Sequence, residues 1–238
     1  MTLRLATWAL VLTTWVGCAH PAAVVVPPPE KLPPLESVDA ASAALTALHG
    51  HEPATFKMVH QVVARHDGKS YVMTGYLLGR DDGAFRVSAA ADMGPRLFDV
   101  AWVGNQWEAK VHLRQLAERL DPRHMGRAVQ RIYFTTASGP LTLEDGQWVS
   151  RANLQGDDDI DAVEVSRDGH TLALTHKRFF LRGAPVLDID YTQLEAVQGH
   201  WLARHVKLKD QRGFELELSV SQYEPGFAVP EERLHVQP

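Results

Sequence analysis

From Pro53 onward the apolar residues recur at every second position, and this period of two constrains the fold more than any other feature of the chain. Phe56-Met58-His60-Val62, Tyr71-Met73-Gly75-Leu77 and Phe85-Val87-Ala89 each direct one row of side chains to a single face of an extended strand. Between them stand His66-Asp67-Gly68-Lys69 and Arg80-Asp81-Asp82-Gly83, where the Asp-Gly pair supports a tight hairpin. The three strands therefore form a meander. Leu97–Val103 and Trp107–Val111 extend it across a Gly104-Asn105 turn.

The second half repeats the pattern. Strands are predicted at Leu141–Leu143, Trp148–Arg151, Ala162–Ser166, Thr171–Thr175, Phe179–Leu181, Pro185–Tyr191, His200–Leu208 and Phe214–Val220. The last alternates Phe214, Leu216, Leu218 and Val220 with Glu215, Glu217 and Ser219, so one face is dry and the other wet. Helical spacing interrupts the strands in two places. Val38, Ala41, Leu45 and Leu48 define a helix over 38–49, capped by Ser37 or Asp39 and ended by Gly50. Leu113, Leu116, Ala117 and Leu120 define another over 112–121, after which Pro122 can open a short helix through Met125, Ala128, Val129 and Ile132. No proline-, glycine- or charge-rich linker divides residues 54–221, so the ten to thirteen strands belong to one unit. The expected fold is mainly β with helices: a large antiparallel sheet wrapped around them. Residues 224–238, with Pro225, Pro230 and Pro238, read as a C-terminal tail or a loosely docked strand.

The N-terminus carries a different signal. Residues 1–17 have Arg4 as their only charge, and the apolar run Leu5–Val16 is too short to span a bilayer as a stable helix. The run ends in Trp15-Val16-Gly17-Cys18, which resembles the bacterial lipobox, with Trp15 where that pattern usually has leucine. The resemblance implies that residues 1–17 are a cleaved signal peptide and that Cys18 is lipidated. Three acyl chains, at roughly 0.8 kcal/mol per buried CH₂, would hold the protein on its membrane. Ala19, where the sorting rule of enteric bacteria would place aspartate for retention, implies the outer membrane. A buried N-terminal helix with an ordinary cysteine is the alternative. Residues 18–36 follow as the lipidated N-terminus and a tether rich in proline from Pro21 to Pro34, which at about 3.1 Å per residue holds the domain on the order of 45 Å from the headgroups. Cys18 is the single cysteine, so the chain has no internal disulfide and no thiolate zinc site. The formal net charge of -5 gives no long-range attraction toward nucleic acid or anionic lipid.

This order of elements resembles the LolA/LolB group of periplasmic lipoprotein carriers and outer-membrane acceptors, together with outer-membrane lipoproteins of unknown function that share their fold. The segments that carry the likeness are Phe56–Arg65, Gly75, Gly83-Ala84-Phe85-Arg86-Val87, Gly94-Pro95-Arg96-Leu97-Phe98-Asp99-Val100, Asp188-Ile189-Asp190-Tyr191, Val206-Lys207-Leu208 and Phe214–Val220. The resemblance covers residues 37–223. It implies a strongly bent, unclosed half-barrel with helices over its concave face and an apolar interior that receives acyl chains. The loop Ala90–Pro95, with Met93 at its tip, stands where LolB has a protruding apolar residue.

A curved sheet covered by helices can enclose an apolar cavity. The candidate lining is Met58, Val62, Met73, Leu77, Phe85, Val87, Phe98, Val100, Trp102 and Trp148, with Leu116, Leu120 and Met125 from the covering helices. Each also reads as ordinary core. Enzymatic signatures are lacking in the sequence: 156–161 concentrates carboxylates without the EF-hand pattern, and no H-E-x-x-H, G-x-S-x-G or glycine-rich phosphate loop occurs. Neither metal nor cofactor is expected. Ser, His and Asp side chains converging in a cleft would revive catalysis. The expected function is non-catalytic: binding or transfer of an acylated ligand at the outer membrane, by a monomer whose partners are the membrane through Cys18, acyl chains, lipoproteins or other envelope proteins. The alternative is an envelope scaffold with a fully packed core. A continuous apolar cavity beneath residues 112–134 supports the first, and a filled interior sinks it.

Overall fold

The first and last strands pair with each other, and this one junction fixes the architecture. The computed structural model describes residues 35–91, 94–113, 121–155 and 159–237. The lipobox with Cys18, the tether to residue 34, Met93, Leu116, Leu120 and the acidic pair Asp157-Asp158 lie outside the described residues.

Helix α1 (Val38–His49) opens the domain, and Ser37 is its cap, accepting a hydrogen bond from the Ala40 N–H at 3.2 Å. Five strands follow: β1 (Thr55–His66), β2 (Lys69–Arg80), β3 (Phe85–Ala91), β4 (Arg96–Val103) and β5 (Gln106–Val111). Then come helix α2 (Pro122–Val129) and a π-helical turn (Gln130–Phe134). The second meander is β6 (Thr142–Glu144), β7 (Gln147–Asn153), β8 (Ala162–Asp168), β9 (Leu174–Leu181), β10 (Ala184–Val197), β11 (His200–Asp210) and β12 (Glu215–Pro225). Together they form one twelve-stranded antiparallel sheet in the order β5-β4-β3-β2-β1-β12-β11-β10-β9-β8-β7-β6. The Asp67-Gly68 turn joins β1 to β2 with both residues at positive φ (49° and 71°), the conformation that a two-residue hairpin of this twist requires.

β5 and β6 are consecutive in sequence yet form opposite edges of the sheet, and the described part of the chain between them packs on the concave face through residues 125–134. Cross-strand partners fix which side chains share that face: Val62 with Met73 and Leu218, Leu77 with Val87, Val87 with Val100, Val206 with Leu218, and Ile189 with Leu208. These residues and the inner side of 125–132 make one core. A bulge between Val59 and His60 bends β1 at the central junction.

Three sequence expectations change. Thr171–Thr175 is not a strand: the Asp168 carboxylate accepts from the N–H groups of His170 (3.0 Å) and Thr171 (2.8 Å) and from the Thr171 hydroxyl (2.8 Å), and Leu172 turns at φ 54°. β9 begins only at Leu174 and runs unbroken through Phe179–Leu181, so two expected strands are one. Finally, of residues 224–238, expected as a tail or a loosely docked strand, Glu224 and Pro225 complete β12 and 231–236 are held to the convex face. Helix α3 (Glu231–Leu234) buries Leu234 completely, Arg86 donates to the carbonyls of Arg233 (3.3 Å) and His235 (2.9 Å), and Glu108 accepts from the Val236 N–H (2.8 Å).

Candidate functional site

The concave trough between β1–β4 and β12 is covered by α2 and the π turn. Asp121 caps α2 by accepting from the Arg123 N–H at 2.9 Å, and Pro122 occupies its first turn. The segment descends close to the sheet at Gly126, where a Cβ would lie 2.5 Å from Cζ3 of Trp107 and 3.0 Å from Cγ2 of Val100. Only glycine permits that approach. Below it, Met125, Val129 and Ile132 are buried in the trough, and Phe134 stacks between Phe85 (5.1 Å between centroids) and Phe56 (6.1 Å).

Met58, Met73, Leu77, Phe85, Phe98 and Met125 meet in this one core. Trp102 lies at its margin, 4.8 Å from Trp107. Trp148 shares the concave face but sits in a separate cluster with Ala41, Leu141 and Leu172, beneath α1. Leu116 and Leu120 lie outside the described residues. The enclosed space among Met73, Leu77, Phe98, Met125, Val129 and Tyr133 is about 30 Å³, on the scale of one water. Among the described residues no open acyl cavity is preformed there: side chains of 125–134 occupy the volume where it was expected. A larger opening of about 780 Å³ lies at the rim, beside Arg151, Leu154 and Phe180.

Polar side chains enter this apolar trough at fixed points. His60 Nε2 pairs with the Tyr133 hydroxyl at 2.7 Å, and burial pushes its imidazole down to about 4, so it is neutral at neutral pH. Lys177 faces inward between Val165 and Ile189 and is 2% exposed. Its Nζ donates to the carbonyls of Ile132 (2.8 Å) and Arg131 (3.1 Å), and the Tyr191 hydroxyl donates to the same Ile132 oxygen at 2.7 Å. The ammonium and the phenol therefore fasten the C-terminal carbonyls of the covering segment, where a positive charge is favoured. Burial, with a smaller contribution from nearby Arg167, pushes the Lys177 ammonium down to about 7. His60, Tyr133, Lys177 and Tyr191 were not among the expected site residues.

On the convex face Ser88, Asp99 and His112 do converge. Ser88 Oγ donates to Oδ1 of Asp99, and His112 Nε2 lies 2.6 Å from Oδ2. The carboxylate stands between serine and imidazole, so the histidine is not placed to take the serine proton, as a nucleophile–base pair requires. Among the described residues no group of three or more His, Cys, Asp and Glu side chains is arranged to hold a metal ion, and no helix is long and apolar enough to cross a membrane.

Solved structures share this architecture. A LolA-superfamily protein from Nitrosomonas europaea superposes with a TM-score of 0.59 at 13% identity, over 82% of this chain and 97% of that one. A DUF1329 family protein from Desulfovibrio piger gives 0.51 at 9% identity, over 85% and 97%. The fold is therefore LolA/LolB-like. None of the curated proteins matches the chain. Residues 57–222, from within β1 to within β12, match the family described as a protein of unknown function, DUF3261, and the chain belongs to that family.

Proposed function

We propose that this protein is a lipid-anchored component of the bacterial envelope that takes an acylated ligand, a lipid or the acyl end of a lipoprotein, into its trough when segment 122–134 moves aside. One observation carries the proposal: the apolar concave face of the sheet is closed over by one short segment, whose Met125, Ala128, Val129 and Ile132 pack on the sheet's own side chains. That segment ends in a π-helical turn, a geometry common at functional sites. Its removal would leave Met73, Leu77, Val87, Phe98, Leu216 and Leu218 as a continuous apolar lining. The lipobox and Ala19 support anchoring through Cys18 in the outer membrane, facing the periplasm.

The filled interior favours a second function, a non-catalytic envelope scaffold whose core never opens. Gentle purification from the native envelope followed by mass spectrometry separates the two. A carrier is expected to retain stoichiometric lipid or lipopeptide and to bind fluorescent acyl probes. Absence of both defeats the carrier and leaves the scaffold. The anchor has its own test: Cys18→Ala is expected to shift the protein from the membrane to the soluble fraction with an unchanged circular dichroism spectrum. Persistent membrane association of that variant overturns lipidation as the anchor.

A further inference from the structure

The apolar trough ends in a positive corner. Lys177 on β9 and Arg167 on β8 project from the concave face as diagonal neighbours, since Lys177 pairs with Val165, two residues before Arg167. Arg167 in turn lies across from Trp148 on β7. The donors of both cations are met by main-chain carbonyls: Lys177 by Arg131 and Ile132, and Arg167 by Leu172 at 3.2 Å. No ion pair between either cation and a carboxylate occurs among the described residues. The one carboxylate whose field reaches both is Glu52, whose side chain is 60% exposed and therefore screened by water. Trp148 Nε1 is buried in the same corner without a hydrogen-bond partner.

Lys177 is buried and Arg167 partly so; cations so withdrawn from water without a matching anion are costly, and a buried donor left unsatisfied beside them adds to the cost. An anionic group would relieve both. It would add the attraction of opposite charges to the hydrogen bonds that the carbonyls already accept. The corner is also at the right distance. From Lys177 on β9 to Leu216 and Leu218 on β12 is three strand spacings, about 14 Å at roughly 4.8 Å each, a span that one acyl chain covers.

We infer that Lys177, Arg167 and the Trp148 indole N–H form a subsite for an anionic head group, phosphate or carboxylate, of the amphiphile whose chain occupies the trough. The inference rests on the trough-binding function proposed above. In the closed arrangement the carbonyls of Arg131 and Ile132 hold the Lys177 ammonium. Displacement of segment 122–134 removes them, and the head-group oxygens take their place.

Titration calorimetry on the full chain carrying Cys18→Ala, which needs no detergent, tests this with three probes: dodecyl phosphate, dodecyl maltoside and inorganic phosphate. Dodecyl phosphate is expected to bind at least tenfold more tightly than dodecyl maltoside, and inorganic phosphate far more weakly than either. Arg167→Gln is expected to remove most of that preference while leaving maltoside affinity within about twofold; Lys177→Met, which also frees the covering segment and so shifts both affinities, is read by their ratio, which is expected to fall likewise, and either variant suffices if the other does not fold. Equal affinity for the two amphiphiles overturns the head-group subsite and leaves trough binding intact. A preference that survives both substitutions overturns the residue assignment. Inorganic phosphate binding as tightly as dodecyl phosphate makes this a free-anion site and overturns the head-group assignment. Failure of both amphiphiles to bind overturns trough binding and the subsite with it.

Discussion

Asp99→Ala is expected to cost the domain about 3–5 kcal/mol, the range for breaking a buried charge network by removing one partner. Asp99 is 1% exposed on the convex face of β4. Its oxygens accept from Ser88 Oγ, from Arg86 Nη2 at 3.1 Å and from Arg96 Nη1 at 3.4 Å, and pair with His112 Nε2 at 2.6 Å. Arg86 is itself largely covered, and its Nε has no hydrogen-bond partner, so loss of the carboxylate leaves a largely covered guanidinium hydrogen-bonded to the carbonyls of Arg233 and His235, with the Glu108 carboxylate nearby. The C-terminal segment that supplies those carbonyls should loosen as well. Chemical denaturation measures the first effect, and limited proteolysis near residue 233 the second. A cost under about 1 kcal/mol, the value of an exposed pair, would show that the network is not structural. The pH dependence follows in sign. Burial raises the Asp99 carboxyl, but the bonds from Ser88, His112 and Arg86 outweigh it and hold the group below its ordinary value. Its contribution is therefore present above the unfolded carboxyl value, near 3.9, and is lost as the pH falls through the folded one. Asp99→Asn should flatten that acid limb.

What could be read from the chain and what could not divide by the range of the interactions involved. The Asp67-Gly68 hairpin and the 38–49 helix are set by neighbours a few residues apart, and both stand where the pattern put them. The β1–β12 junction joins residues some 160 apart, and nothing local encodes it. The charged run His176-Lys177-Arg178 falls between the expected strands Thr171–Thr175 and Phe179–Leu181, where the structure has one strand from Leu174. In an extended chain the middle residue of such a trio must face opposite to its neighbours. Here His176 and Arg178 meet Asp188 outside, at 3.0 and 2.8 Å, while Lys177 enters the core. Period-two spacing with Phe179 was the available signal. Trp148 was placed with the cavity because its face was right; its position along the strand, under α1, depends on where the helix docks. The volume of the interior was beyond reach for the same reason, since it depends on how deeply Gly126 lets the covering segment descend.

Phe85→Ala should destabilise the domain by about 3–5 kcal/mol and, more tellingly, unfasten the segment that closes the trough. The Phe85 ring is fully buried, lies parallel to Phe134 at 5.1 Å with 7° between planes, and meets Trp107 edge-on at 5.9 Å. Across the sheet it faces Gly79, and the space above that glycine is filled by the Phe56 ring, which also stacks on Phe134. Phe134 is the last residue of the π turn, so Phe56 and Phe85 clasp the end of the covering segment as Lys177 and Tyr191 hold its carbonyls. Phe98→Ala is the matched control: that ring is equally buried and lines the small internal space, without a stacking contact to Phe134. Both variants should lose similar stability, measured as a lower denaturation midpoint at unchanged slope. Amide hydrogen exchange should separate them. If segment 122–134 opens without the sheet unfolding, its exchange will accelerate more in Phe85→Ala than in Phe98→Ala after correction for global stability. Equal acceleration would mean that the segment is released only when the whole domain unfolds, which is the behaviour of a packed scaffold and not of a carrier.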